Sequence, residues 1–592
     1  MSWIRRHAPA VAGGGAALAF IAPLLVPGYV LSYDMVFVPR YRISAGLLGL
    51  SGHVPRSVPA EGLVAVLSRA VSADIIEKAV LVSIFVLSAA GAGQLVSRLL
   101  PRAGPAVRTA AGLLYAWNPF VYERLRIGHW QLLLGYAALP FVAAAALDLR
   151  DRVPRAAPRL GLWLALAGIA SPYAGVLSGG LALLVAAAPP WGGAVRRSLR
   201  AAGAAIGLTL VVNLPWVVPS LLRPGGLPSS VAGLRAFGPR SDSPLGTFGS
   251  LLSLGGMWNT DLAPPGRSSW VWVPSFIVVL VVATIGWAAL RRGEESRRHL
   301  GVLLAAALGL LLAGGTTFPI TGAVVRWAAI HLPGGGLLRD SQMFVAPLAL
   351  AMAIGFGAGL ARLTPSERPR KERVALGVAL VAAAVSLVPT LAWGAGGELI
   401  SARYPPDWDR ARAILAADPE PGRMLVLPWH LYFAQAWNGG RVVLDPAQRF
   451  FSRPALTTER LELRSGTLPS EDPLPRRADR IVASGRAIGP SLPGLGVRYV
   501  LLLKEADWRR FQGRTAGLHR VLDTAELSLF RSSRATLKVR QPAPPTGPVL
   551  AGDVVAALAL VMLLLWLLTA ARSREGGLLS FARRPRAGPR RS

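Results

Sequence analysis

The sequence predicts a polytopic α-helical membrane protein of about twelve spans, with an α/β domain near its carboxy end. Three observations predict it. The 592 residues are 52% hydrophobic, with a mean hydropathy of +0.44, which is outside the range of ordinary soluble proteins. The apolar residues fall in long runs. Every second gap between those runs is packed with arginine, and loops rich in Lys and Arg stay cytoplasmic.

The basic gaps hold Arg98, Arg102 and Arg108, then Arg150, Arg152, Arg155 and Arg159, then Arg196, Arg197 and Arg200. Arg291, Arg292, Arg297 and Arg298 follow, then Arg368, Arg370, Lys371 and Arg373, and last the tail from Arg572 to Arg591. Arg5 and Arg6 give the amino end the same sign. Both termini are therefore expected on the cytoplasmic side, and the intervening gaps outside. The net charge of +33 does not indicate a nucleic-acid partner, because it sits in short loops and not on one basic surface. The chain has no cysteine, which excludes disulfides and thiolate metal sites.

A span needs roughly 20 apolar residues. The first run, Ala8 to Val30, is too long for a signal-peptide core and has no clean cleavage site before Tyr33, so it reads as an uncleaved span. Spans are expected near 9–31, 78–99, 109–121, 131–149, 160–172, 174–189, 201–222, 271–290, 300–318, 343–361, 374–394 and 549–571. The third and fifth are short. The implied organisation is a multi-span domain over 1–393, an extracytoplasmic α/β domain over 394–548, a final span over 549–571 and a basic cytoplasmic tail over 572–592.

Within the outward gaps, Glu61–Ala70 reads as an amphipathic interfacial helix. Met424–Leu427, Arg441–Leu444 and Val497–Leu503 read as strands, Ala506–Phe511 as a helix, and His519–Leu522 with Leu527–Phe530 as a hairpin. Gln541–Pro548 is a Pro-rich spacer.

The expected spans carry almost no charge at mid-depth. Gln94 and Asn213 are their strongest polar residues, and neither ionises. That argues against ion-coupled transport, which uses buried ionisable groups. The sequence contains neither a phosphate-binding P-loop nor a nucleophile elbow. Its seven histidines show no metal-ligand spacing, so a divalent metal gains no support from spacing.

The unusual residues cluster at outer span boundaries. Asp34 follows the first span directly, among Tyr33, Met35 and Phe37. Partial desolvation at headgroup depth raises the proton affinity of such a carboxylate. The segment Trp117 to Gln131 brings Glu123, Arg124, Arg126 and His129 into one outward turn. Two arginines there break the topology rule, and an arginine fork matches phosphate oxygens. A structural ion pair of Glu123 with Arg124 or Arg126 is the plainer alternative. The segment Gly334 to Phe344 adds Arg339, Asp340 and Gln342 after a Gly-rich approach, where Asp340 or Ser341 suits a helix cap. Trp258-Asn-Thr-Asp261 is a fourth, weaker cluster. Carboxylates, arginines and aromatics at one depth suit a substrate with a lipid tail, a phosphate and a sugar, with one carboxylate as general base.

These residues resemble the GT-C superfamily of polyprenyl-phosphate-sugar-dependent membrane glycosyltransferases, most closely its YfhO-like and mycobacterial arabinofuranosyltransferase-like members. The resemblance rests on Tyr33-Asp34, Asn118-Pro-Phe with Glu123-Arg124, Gly334 to Phe344 with Arg339, and Leu495 to Leu501 followed by Ala525 to Arg531. It implies transfer of a sugar from a polyprenyl phosphate to a cell-envelope glycan, lipid or protein outside the cytoplasmic membrane. Asp34 would be the base with Glu123 as its catalytic partner. Arg124, Arg126 or Arg339 would meet the phosphate, and His129, Trp258, Asp340 and Gln342 would complete the substrate site. Many members place two adjacent acids in the first loop, whereas Asp34 stands alone, with Glu61, Asp74 and Glu77 the nearest other carboxylates. A lipid-linked-precursor transporter and a non-enzymatic envelope protein are the competing readings.

Overall fold

The computed structural model describes residues 2–188, 195–226, 230–292, 299–332, 334–463, 466–534, 537–539 and 541–581. Arg297, Arg298 and the tail after residue 581 lie outside them. Among the described residues, seven helices are long and apolar enough to cross a membrane, and two bent helix pairs bring the number to nine if each is one span. Ala156–Ala170 and Pro172–Ala187 are apolar but shorter. The third expected span is the 12-residue helix Pro105–Ala116. It stops where Trp117 leaves helical geometry and Asn118 caps the next helix, Pro119–Arg126, by accepting the Val121 N–H at 3.2 Å.

Residues of the basic gaps contact one another, and so do residues of the remaining gaps. Among the first, Arg98 and Arg159 both pair with Asp148, at 2.8 and 3.2 Å, and Arg108 donates to the Arg6 carbonyl at 2.9 Å. Among the second, the Asp34 N–H donates to the Ile127 carbonyl at 3.0 Å. Arg126 pairs with Glu398 at 3.1 Å, and Arg339 with Glu471 at 3.4 Å.

Small residues let the helices approach closely, as packing without a hydrophobic drive requires. Val273–Arg291 and Ala346–Leu363 touch through glycines. A Cβ at Gly286 would fall 1.8 Å from the Gly355 carbonyl oxygen, and one at Gly359 would fall 2.0 Å from that of Val282.

Near the carboxy end lies a mixed five-stranded sheet, in the spatial order His519–Asp523, Leu527–Arg531, Val497–Leu503, Arg423–Leu427 and Ala455–Leu456. The last three run parallel and the first three antiparallel. Val497–Leu503 is an almost unbroken apolar run because both of its faces are covered. Leu425, Val500 and Leu502 pack with the helix Pro473–Ala483. Met424, Tyr499 and Leu501 share a core with Trp408 and Leu415 of Pro406–Ala417. The expected strands and hairpin are present. The expected helix from Ala506 starts only at Arg509, because Ala506 takes a φ of 50°. Glu61–Ala70 is the shorter helix Ala60–Leu67.

Beside the sheet, Tyr432–Gln435 and Arg441–Leu444 form an antiparallel hairpin. The loop after the first helix joins it through an isolated bridge at Tyr33: the Tyr33 N–H donates to the Val442 carbonyl at 3.0 Å, and the Leu444 N–H to that of Tyr33 at 2.9 Å. Tyr29–Val30 also pairs with Ser401–Ala402. The loop that carries Asp34 is thus fixed from both the helical body and the sheet region.

Candidate active site

Asp34 sits at a crossing of three segments. Ser32 Oγ donates to the Arg126 carbonyl at 2.6 Å, and the Ser32 and Met35 backbones bond each other in a tight turn. Gly128, at φ +85°, closes the crossing. A Cβ there would lie 2.2 Å from the Met35 nitrogen, so only glycine lets the Arg126–His129 turn lie against this loop.

The Asp34 carboxylate is held from two sides. His129 Nε2 lies 3.1 Å from Oδ2, and the Tyr432 hydroxyl donates to Oδ1. The rest of the side chain, 37% exposed, faces a cavity of about 790 Å³. Burial pushes the carboxyl up, but the His129 and Tyr432 hydrogen bonds and the positive charge of Arg449 outweigh it and hold Asp34 below the usual carboxylate range. Tyr432 moves the opposite way, well above the usual phenol value, through burial and the adjacent negative charge. Asp34 is therefore ionised and its tyrosine neutral throughout the physiological range.

Tyr432→Phe removes one donor to the carboxylate. Its pKa should then rise towards the ordinary value, so the charge is lost at higher pH as the medium is acidified. The acid limb of the activity profile should move up while the neutral plateau falls, by about 3- to 10-fold if the bond contributes an ordinary hydrogen-bond increment. A pH–rate profile that overlays that of the parent protein would show Tyr432 to be a bystander.

The sequence candidates divide. Asp34, Trp258 and Arg339 line the cavity, and His129 touches it through Asp34. The guanidinium of Arg339 stands 4.4 Å over the Phe237 ring, against which Trp258 packs edge-on at 5.0 Å. Two segments far apart in sequence thus build one cation–aromatic stack.

Glu123, Arg124, Arg126, Asp340 and Gln342 do not line the cavity. Glu123, expected as the catalytic partner of Asp34, is wholly buried behind the wall. Burial and the neighbouring Asp242 carboxylate push its pKa far up. Arg124 is also wholly buried, its guanidinium 5.1 Å over Phe120, with no face for a cavity ligand. Arg126 pairs with Glu398 and not with Glu123. Asp340 accepts from the Tyr173 hydroxyl at 3.5 Å and makes no cap bond. Ser341 also leaves the helix uncapped and donates to the Ala313 carbonyl at 3.0 Å. Gln342 is buried with both amide atoms lacking a hydrogen-bond partner among the described residues.

Behind the wall, Arg267 pairs with Asp242 at 2.9 Å, both 1% exposed. Arg267 also donates to Ser253 Oγ at 2.8 Å and lies 4.5 Å over Trp272. Asp242 accepts the Gly256 N–H at 2.9 Å. This network anchors the segment from Asp242 to Arg267.

The sheet region roofs the cavity with residues no local motif marked: Tyr432, Asp445, Arg449 and Glu471. Arg449 pairs with Glu61 at 2.6 Å. Asp445 is pushed up to about 7 by burial, although its carboxylate accepts the Ala447 N–H. Of the other first-gap acids, Glu77 is buried and accepts the Val30 N–H at 3.0 Å, and Asp74 lies 3.7 Å from Lys78.

No protein-family model matches the chain, and no curated protein matches it in sequence. Among solved structures it is similar to arabinofuranosyltransferase AftD from Mycobacteria, at 18% identity and a TM-score of 0.62, over 90% of this chain and 40% of that one. A mutant form of the same enzyme gives 17% identity and a TM-score of 0.61, over 90% and 42%. The chain thus spans less than half of AftD. The oligosaccharyltransferase of Archaeoglobus fulgidus matches at 11% identity and a TM-score of 0.40, over 83% of this chain and 67% of that one. The likeness to AftD is one of fold, over most of this chain.

Proposed function

We propose that this chain is a membrane glycosyltransferase that moves a sugar from a polyprenyl-phosphate donor to a hydroxyl of a cell-envelope acceptor. The observation that carries this reading is the Asp34 carboxylate, gripped by His129 and Tyr432 and open to a large cavity at the boundary of the helical body. Fold likeness alone does not assign chemistry; the carboxylate and the cation–aromatic stack that line one cavity are what support this reading.

In this reading the acceptor hydroxyl approaches Asp34, which takes its proton as the oxygen attacks the anomeric carbon. The new bond forms from that oxygen to the sugar. The bond from the anomeric carbon to the donor phosphate breaks, and the electron pair leaves with polyprenyl phosphate. Arg339, at the cavity wall over Phe237, meets the growing charge, while Trp258 and Phe237 offer apolar faces to the sugar. His129 and Tyr432 keep Asp34 ionised and aimed. Arg124, Arg126, Asp340 and Gln342 act from behind the wall as positioning groups. The lipid tail lies among the spans.

In this reading there are twelve crossings, which seven long helices, two bent pairs and the three short helices Pro105–Ala116, Ala156–Ala170 and Pro172–Ala187 support among the described residues. Both termini then lie in the cytoplasm and the roofed cavity outside, in the cytoplasmic membrane.

A photoactivatable polyprenyl phosphate tests the binding half of this reading. In full-length protein in nanodiscs it should label peptides around Phe237 and Arg339. Arg339→Lys should weaken labelling about 10-fold despite keeping the charge, since the planar fork is lost. Labelling confined to the opposite, arginine-rich end would refute the placement.

A further inference from the structure

We propose that the cavity rim carries a divalent-cation site formed by His53, Glu459 and Asp472, which staples the first outward loop to the sheet region. Their ligand atoms lie within 4.8 Å of one another. His53 Nδ1 is 3.5 Å from Glu459 Oε1 and in closer contact with Asp472 Oδ2. Three donors at about 2.0–2.2 Å from one tetrahedral metal stand roughly 3.4 Å apart, so the His–Glu spacing already fits and the His–Asp pair needs only to open slightly.

The carboxylate oxygens that do not face this point are engaged elsewhere. Glu459 Oε2 accepts the backbone N–H groups of Glu471 and Asp472, at 3.1 and 2.8 Å. Asp472 Oδ1 accepts from Arg223. The same guanidinium donates through Nε to the carbonyl of Gly52, next to His53, at 2.7 Å. Arg223 therefore fixes a carboxylate ligand and the backbone beside the imidazole ligand together. Outer partners that orient ligands in this way are the usual surroundings of a metal centre.

Asp472 is buried, Glu459 partly buried and His53 half exposed, so the site opens to the cavity on one side. That leaves positions for water or for an oxygen of a cavity ligand. One imidazole with two carboxylates suits Mn²⁺ or Zn²⁺ better than a purely oxygen-seeking cation. The proposal does not depend on sugar transfer.

Mn²⁺ titrated into full-length protein in nanodiscs, with loss of the free-ion electron paramagnetic resonance signal as readout, tests it. One saturable Mn²⁺ per chain is expected at this site. It should weaken at least about 10-fold in His53→Ala and in Glu459→Gln, while Asp34→Asn leaves it unchanged. Glu459→Gln keeps the shape of the side chain, and unchanged melting of that variant separates lost ligation from lost folding. If a second ion binds elsewhere, His53→Ala should reduce two ions to one, which supports the site. Absence of saturable binding overturns the proposal, and so does binding that survives both rim variants or disappears only in Asp34→Asn. In either case the three residues form a protonated-histidine ion pair.

Discussion

Asp34→Asn is expected to cut sugar transfer by about 10²–10⁴-fold, the usual contribution of a positioned base. The amide keeps the size and most hydrogen bonds of the side chain, so the loop should hold its place. The Tyr432 hydroxyl still finds an acceptor in the amide oxygen, but no group remains to take the acceptor proton. Binding of the lipid donor, which depends on the Arg339 wall, should change less than 3-fold. The depressed pKa of Asp34 adds a sign: the parent protein should keep its activity as pH falls through 6 and 5, and lose it only below the ordinary carboxylate range. Activity in Asp34→Asn within a factor of three of the parent would remove Asp34 from the chemistry.

The largest effect on stability is expected from Arg267→Ala. Arg267 and Asp242 are each 1% exposed, and the Asp242 carboxylate lies beside Glu123. Removing the guanidinium leaves a buried charge without its counter-ion, which costs about 3–5 kcal/mol. The cation–aromatic contact with Trp272 and the bonds to Ser253 go with it. Thermal unfolding in detergent, followed by loss of monodisperse protein, should shift down by many degrees. Arg56→Ala is the control: its pair with Glu471 is 55% exposed on the arginine side, and such pairs contribute roughly 0–1 kcal/mol. Equal shifts in the two variants would show that the Arg267 network does not anchor the segment from Asp242 to Arg267.

The sequence carried what short-range rules encode. Short apolar runs bounded by turn residues placed the strands Arg423–Leu427, Arg441–Leu444 and Val497–Leu503. Asp34 stood out because a carboxylate at a span boundary is costly wherever it lacks partners. The partners themselves did not stand out. Tyr432 is 398 residues away from Asp34 in the chain, and nothing in its own neighbourhood sets it apart from any strand tyrosine. Phe237, which joins Trp258 to Arg339, looks like any apolar residue. Glu123 was misplaced for a related reason. Local charge density cannot tell a residue that faces a cavity from one that faces a buried network, and here Asp242 and Arg267, from another gap, decided the matter. The short helix Pro105–Ala116 was visible as a short run, but its abrupt end at Trp117 depends on a cap geometry that hydropathy does not register.

Transfer and translocation separate the central claim from its strongest rival. Full-length protein reconstituted into vesicles with a radiolabelled polyprenyl-phosphate sugar and an acceptor glycan should release free polyprenyl phosphate and place label on the acceptor, with both products lost in Asp34→Asn. Movement of intact labelled lipid between leaflets, with no sugar transferred and no dependence on Asp34, would contradict the account.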